Sequence, residues 1–321
     1  MKSLFITNSG PNIGGGHLSR CFALSRALNS LGVGSRWILN DAARPQAEAL
    51  GIADASYFPD PFSCGYLPAR AGADFAVVDS YVPGADFYMS VSERMPLVVI
   101  DDLHDREVER FADILINYGI GAERGLYRND ECKYLTGPRY ALLREAYREI
   151  EPAEGEYVMF VPGASDTTGS APAIASWWLP DWGRLVIALG PLTPDAVIAG
   201  TRWAASGKIN VKILISSPKF PDILANAGRV ICGAGVTANE ALAMEKPVAV
   251  FSVADNQRGL GKILERRGAA YDLGDWSGVT PDSLKTAISF TPDRAALRGL
   301  VNKRGAIVCA DEIMKILGGS R

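Results

Sequence analysis

The stretch Ala234-Gly-Val-Thr-Ala-Asn-Glu-Ala-Leu-Ala-Met-Glu-Lys-Pro-Val-Ala-Val-Phe251, continued by Ala254-Asp-Asn-Gln257, decides how this chain folds. It reads as a glycine turn after a strand at Arg229 to Cys232, then a short helix, a second strand and a polar loop. A glycine turn feeding a helix start gathers unpaired N–H groups and the positive helix end at one point, where an anion such as a diphosphate can sit. Glu240 falls on the first turn or two, placed to accept hydrogen bonds from a ribose. Asn256 and Gln257 follow the next strand, within reach of the rest of a ligand. Thr237-x-x-Glu240 also matches a capping box, which needs no ligand.

Working outward, short apolar runs alternate with helical patterns along the whole chain. Phe75-Ala-Val-Val-Asp79 and Leu97-Val-Val-Ile-Asp101 are continuous apolar runs ending in aspartate. Buried parallel strands whose carboxyl ends open onto a binding edge have this form. Strands are expected again at Tyr157 to Val161, Leu185 to Ala188, Val211 to Ile215 and Val248 to Phe251. Helices are expected between them, and Pro281 to Ile288 and Asp293 to Ile316 finish the chain as helices. From His17, apolar Cys21, Leu24, Leu28 and Leu31 recur at helical spacing up to Gly32. The rhythm predicts an α/β protein with two Rossmann-like parallel-sheet domains, 1–145 and 146–321, facing across a cleft. The last helix is able to pack back on the first domain. Trp177, Trp178 and Trp182 are expected in a core.

Composition narrows the function classes. At 321 residues the chain is long enough for two domains. A net charge of −3 and no basic run argue against nucleic acid. The five scattered cysteines form no C-x-x-C pair, which fits a reducing compartment and no disulfide framework. No apolar run is long enough to cross a bilayer, and no signal segment is evident. The expectation is a cytoplasmic protein with a small-molecule substrate and no metal or other cofactor.

Four further loops carry candidate chemistry. Gly14-Gly15-Gly16-His17 lets backbone approach a ligand closely and holds one of only two histidines at a helix start, which favours neutral imidazole, the form a general base needs. Asp79-Ser80-Tyr81 leaves a buried strand: Asp79 could orient the histidine, bind a sugar hydroxyl or cap the next helix, and Tyr81 could donate a hydrogen bond or stack. Asp101-Asp102-Leu-His104-Asp105 has metal-ligand residue types, but a loop lining the cleft is the better reading. Pro162-Gly-Ala-Ser165-Asp166-Thr-Thr-Gly169 has the form of a strand-to-helix phosphate turn.

In order, Gly-Gly-Gly-His17-Leu-Ser-Arg20-Cys, Val-Val-Asp79-Ser-Tyr81, Ile-Asp101-Asp102-Leu-His-Asp-Arg106, Gly137-Pro-Arg-Tyr-Ala-Leu-Leu-Arg144, Gly233-Ala-Gly-Val-Thr-Ala-Asn-Glu240 and Ala254-Asp-Asn-Gln257 together resemble the UDP-sugar hydrolases of pseudaminic acid biosynthesis. Those enzymes are structural cousins of the peptidoglycan N-acetylglucosaminyltransferase, with two-domain GT-B architecture. The resemblance implies metal-independent hydrolysis of UDP-2,4-diacetamido-2,4,6-trideoxy-β-L-altropyranose to UDP and the free sugar. It assigns the essential histidine to His17; Asp79 and Tyr81 are the further catalytic candidates. UDP and substrate contacts would come from Gly15, Gly16, Arg20, Ser165, Asp166, Ala234, Gly235, Val236, Thr237, Glu240, Asn256 and Gln257. The chain departs from the family's usual Gly-Gly-Ser-Asp turn in having Pro162-Gly-Ala-Ser-Asp166. A glycosyltransferase on the same scaffold, a UDP-sugar 2-epimerase and a non-catalytic nucleotide-sugar binding protein are the rival readings.

Overall fold

The computed structural model describes residues 1–63, 72–104, 107–254 and 257–318. Two compact units divide the chain: Met1–Glu145 with Asn302–Arg321, and Ala146–Val301. In the first unit, β1 (Lys2–Thr7), β2 (Gly34–Asn40), β3 (Ala55–Phe58), β4 (Phe75–Asp79), β5 (Leu97–Ile100), β6 (Ile114–Asn117) and β7 (Lys133–Thr136) form one sheet. Its order is β3-β2-β1-β4-β5-β6-β7 and every pairing is parallel. β4, β5 and β6 are buried along their whole length, which is why they read as unbroken apolar runs rather than alternating ones. One face of this sheet packs Leu4, Ile6, Val78, Val99 and Leu115 against Phe87, Tyr88 and Val91.

Among the described residues the helices of this unit are α1 (Gly16–Ser30), α2 (Arg44–Leu50), α3 (Ala85–Ser92) and the last helix of the chain, Gly305–Gly318. The apolar spacing predicts one buried stripe on α1, but the helix buries much more, including His17, Arg20 and Ser25. It lies against β1, β2 and β4 on one side and the last helix of the chain on another, so two faces are covered. Leu31, expected on the stripe, is instead the C-cap residue and 43% exposed.

The second unit repeats the plan with β8 (Tyr157–Val161), β9 (Arg184–Leu189), β10 (Val211–Ile215), β11 (Arg229–Gly233), β12 (Val248–Ser252) and β13 (Ala270–Asp275). The order is β10-β9-β8-β11-β12-β13, again all parallel. Its helices are α4 (Ser170–Trp177), α5 (Asp195–Ala204), α6 (Phe220–Ala225), α7 (Val236–Ala243), α8 (Arg258–Arg266), α9 (Pro281–Ser289) and α10 (Arg294–Leu297). The core gathers Phe160, Ile187, Ile231, Phe251 and Trp178, with Trp177 and Trp182 packed against it. Trp178 also donates from Nε1 to the Gly183 carbonyl at 3.0 Å, so its buried N–H is satisfied. Strand β13 carries two aspartates and a glycine and is partly exposed at the sheet edge, so its sequence has no strand signature.

The expected helical stretch from Asp293 to Ile316 is interrupted. Asp293 caps α10 through Ala295, and the chain then crosses Gly299, at φ 64°, before α11 (Gly305–Gly318) begins. Ahead of α11, Asn302 donates from its backbone to Pro138 and from Nδ2 to Arg139. The thiol of Cys309 donates to the Tyr140 carbonyl at 3.4 Å. Cys21, Cys132, Cys232 and Cys309 are buried free thiols, and Cys64 lies outside the described residues. Among the described residues no helix is long and apolar enough to cross a membrane.

The start of α11 is docked so closely that a Cβ on Gly305 would lie 2.4 Å from both the backbone N and O of Ala141. Alanine favours the helix interior by about 1 kcal/mol over glycine, whereas forced overpacking costs about 1–3 kcal/mol, and here the clash is with backbone that cannot rotate away. Gly305→Ala is therefore expected to lose about 1–2 kcal/mol in urea unfolding. A variant as stable as the parent would show that this contact is not tight.

Candidate active site

The catalytic candidates of the first unit meet at the carboxyl ends of β1, β4, β5 and β6. The loop after β1 folds back on itself: Gly14 donates to the Gly10 carbonyl at 2.7 Å and holds φ at +83°, which a side chain would resist. Gln46 of α2, which is buried, donates to the Gly15 carbonyl at 2.9 Å and to Ser19 Oγ at 3.0 Å. Gly15 is the N-cap of α1, Gly16 its first residue, and His17 follows, 5% exposed.

Thr7 and Asp79 are paired in the sheet, and Thr7 Oγ1 donates to the Asp79 carbonyl at 2.7 Å, which fixes the end of β4. The Asp79 carboxylate then meets α1. His17 Nδ1 lies 2.7 Å from Asp79 Oδ1, while Arg20 donates from Nε to Oδ2 and from Nη2 to Oδ1, each at 2.6 Å. Arg20 also donates from Nη1 to Asp102 Oδ2. Tyr81 donates to Asp102 Oδ1 at 2.8 Å and sets its ring edge-on to the imidazole, centroids 4.4 Å apart. Beneath the guanidinium lies the Tyr118 ring, 5.9 Å away.

These contacts decide the histidine tautomer. A carboxylate oxygen only accepts, so its short approach to Nδ1 requires the proton on Nδ1. Arg20 Nη2, 3.1 Å from the same nitrogen, is likewise a donor and directs its N–H to Asp79 instead. Nε2 is thereby left with its lone pair, and among the described residues nothing bonds it. The arrangement has the logic of a histidine oriented by a buried carboxylate. Burial by itself would raise the Asp79 carboxyl, but Arg20 and His17 hold it well below the usual carboxylate range. Asp102 is also lowered, Arg20 outweighing the effect of burial. Despite burial, the two carboxylates raise Arg20 well above its ordinary value.

Of the sequence candidates in this unit, His17, Arg20, Asp79 and Tyr81 come together, with Gly15 and Gly16 forming the backbone that leads into them. Asp79 does not cap α3, whose N-cap is Gly84. Arg20 is 3% exposed and engaged by two carboxylates, so it belongs to the frame around His17 rather than to a ligand-facing surface. The Asp101–Asp105 loop does not converge on one point. Asp101 lies 3.5 Å from Tyr127 Oη, Asp102 turns to Arg20, and Asp105 is outside the described residues. Gln46 and Tyr118 are the members that sequence reading did not single out, because each comes from a separate segment with no motif of its own; Asp102, read only as part of a loop lining the cleft, joins the site through Arg20 and Tyr81.

In the second unit the two strand-to-helix turns differ in charge. After β8, Gly163 takes φ 126° while Ala164 needs no left-handed backbone, its carbonyl accepting from Leu192 N at 2.9 Å. Asp166, 1% exposed, reaches the start of α4 and accepts from Ser170 N at 2.9 Å, Ser170 Oγ at 2.7 Å and Ala171 N at 2.7 Å. Its carboxylate thus occupies the positive end of α4, and Ser165 stands beside it in the same turn. After β11, a Cβ on Gly233 would approach the Pro162 carbonyl to 3.2 Å, which brings the two turns side by side. Helix α7 begins at Val236 with Gly235 as N-cap, no side-chain cap and no acid in its first turn. The capping-box alternative for Thr237 therefore fails: Thr237 is the second residue inside the helix, too late to cap it. Ala234 donates to the Phe251 carbonyl at 2.9 Å, and Ala238 to Gly235 at 3.1 Å. The N–H groups of Val236 and Thr237 make no backbone bond among the described residues.

Glu240 is 1% exposed on α7, close enough to raise the Cys232 thiol further beyond what burial does. Its neighbour Asn239 is buried with Oδ1 unpartnered. Gln257 caps the loop after β12, its Oε1 accepting from Val253 N at 3.1 Å. Asn256 lies outside the described residues.

No family model matches the chain, and no curated protein matches it. Solved structures do match over nearly the whole length. MurG of Acinetobacter baumannii aligns with a TM-score of 0.64 at 14% identity, covering 98% of this chain and 100% of that one. The calicheamicin glycosyltransferase CalG4 aligns at 0.64 and 14% identity, over 99% and 98%. The UDP-GlcNAc 2-epimerase of Methanocaldococcus jannaschii, solved with UDP-GlcNAc and UDP, aligns at 0.60 and 12% identity, over 98% and 99%. At such identities the likeness is one of fold, and that fold is GT-B-like.

The pairing of Asp79 gives a stability prediction with a defined sign. Its folded-state value is depressed, so its contribution is complete above the ordinary carboxylate range and is lost progressively as pH falls from that range toward the depressed folded-state value. Asp79→Asn is expected to cost about 3–5 kcal/mol at neutral pH, because it removes one partner of a buried charge. The difference from the parent should shrink near pH 3, read by urea unfolding at both pH values. An undiminished difference in acid would show that the ion pair is not its cause.

Proposed function

We propose that the protein hydrolyses a UDP-sugar, UDP-2,4-diacetamido-2,4,6-trideoxy-β-L-altropyranose by the motifs its sequence shares with the hydrolases of pseudaminic acid biosynthesis. The observation that carries the reaction type is the His17–Asp79 pair, which leaves Nε2 as a base unengaged among the described residues. His17 Nε2 takes a proton from water, and the water oxygen bonds to the anomeric carbon. The bond from that carbon to the diphosphate oxygen breaks, its electron pair leaving with UDP. A positioned base of this kind is typically worth 10²–10⁴-fold. Attack opposite the leaving group inverts the anomeric centre.

The second unit supplies the leaving-group side of the proposal. The uncapped start of α7 suits the diphosphate, because helix N–H groups and dipole stabilise the negative charge that grows on departure. The start of α4 suits it less, since Asp166 already occupies that end. Glu240 is assigned to the ribose, and Ser165, Ala234, Gly235, Asn256 and Gln257 to the surrounding contacts. Proton transfer and charge stabilisation by these groups make up a reaction that asks for no metal. Solved structures of similar fold include the calicheamicin glycosyltransferase and a UDP-GlcNAc 2-epimerase, which favours nucleotide-sugar chemistry in general. In a transferase the same base would serve an acceptor hydroxyl instead of water.

Release of UDP from the altrose-configured substrate, with chelator and no acceptor present, tests the reading. His17→Asn is expected to lower kcat by about 10²–10⁴-fold with UDP affinity nearly unchanged. UDP binding without release by the parent would turn the assignment to a transferase.

Val236→Pro tests the anion site separately. Proline is well tolerated at the first position of a helix but removes one N–H. Its folding stability should hold while UDP affinity falls about 10- to 100-fold, the worth of a hydrogen bond to a charged group. Undiminished UDP binding would move the diphosphate away from α7.

A further inference from the structure

Asp102 has no part in the reaction just described, yet it is the second carboxylate on Arg20. The charges facing His17 can be counted element by element among the described residues. Helix α1 brings Arg20 and Cys21, the end of β4 brings Asp79 and Tyr81, the end of β5 brings Asp102, and the end of β6 brings Tyr118. Cys21 and the two tyrosines are neutral near pH 7: burial pushes the thiol and Tyr81 well up, and Tyr118 up to about 12. One guanidinium and two carboxylates remain. The cluster therefore carries one net negative charge while His17 is neutral, and none once it becomes imidazolium.

Arg20 alone would cancel Asp79. The guanidinium is bidentate on that carboxylate and lies 3.1 Å from the imidazole, so a proton arriving at His17 meets a positive neighbour as well as a negative one. Asp102 restores the balance from the far side of Arg20, and neither of its oxygens is free to turn away, since Tyr81 holds one and Arg20 the other. We propose that Asp102 is a positioning residue whose charge, acting through Arg20, lets His17 accept the proton of the attacking group. This rests on His17 as the base of the proposed reaction. It adds that the base needs two carboxylates, because the arginine that aligns the first also neutralises it.

The Asp102 side chain is 29% exposed, against 0% for Asp79, so its substitution is the milder one for folding. The chain has only two histidines, so imidazole nitrogen-15 spectra contain two rings, and a His104→Gln variant assigns them. In Asp102→Asn, protonation of the His17 ring is expected to move to lower pH, as removal of a nearby, partly exposed negative charge requires. The acid limb of the UDP-release profile should move with it. Asp102→Glu, which restores the charge on a longer arm, should recover most of the shift, whereas a role in packing alone would leave the glutamate no better than the asparagine. An unmoved His17 titration in Asp102→Asn, or no recovery in Asp102→Glu, overturns the inference. Because the spectra need no substrate, absence of UDP release by the parent would defeat the hydrolase reading while the titration still decides the role of Asp102.

Discussion

A guanidinium held between two carboxylates is the constraint on which the first unit's site depends. Arg20 cannot be buried without them, since an unpaired buried charge is costly, and the two acids in turn arrive from different strands. The ion cluster thereby ties the start of α1 to the ends of β4 and β5. His17 lies about one turn before Arg20 on α1, so the interaction that neutralises the arginine also brings the imidazole onto Asp79. Replacing such a cluster by apolar residues is often neutral for stability, which points to orientation as its contribution.

The second unit solves a different electrostatic problem with the same local topology. Both α4 and α7 follow a parallel strand through a glycine-containing turn, and both present N–H groups at the carboxyl edge of the sheet. One of them satisfies these groups with its own carboxylate, Asp166. The other leaves them to the surroundings, with neither an acid nor a side-chain cap. A helix that has internalised its anion is a fixed piece of architecture, whereas one that has not is suited to an anionic ligand. Motif reading treats the two turns alike, and the difference emerges only from where the Asp166 side chain goes.

Much of the architecture was legible in the residues. Phe75–Asp79 and Leu97–Ile100 announce buried parallel strands because a strand covered on both faces must be apolar at every position. One edge strand was not legible: β13 buries too little to need an apolar pattern, and its pairing with β12 includes a register shift. The break before α11 escaped because its cause is distant, the docking of Asn302 and Gly305 on residues 138–141.

By itself the sequence determined the alternation of strand and helix and the strand-end loops from which the candidate residues come. These follow from local rules, in which apolar period, glycine and strand-end polarity act within a dozen residues. The tertiary structure decided which polar residues face one another. That Asp79 accepts from His17 and Arg20, that Asp102 completes their charge, and that Asp166 turns inward to its own helix are contacts between segments brought together by parallel pairing. Sequence spacing carries no trace of such partners, because the free energy that selects them is the desolvation and pairing of charges inside the fold.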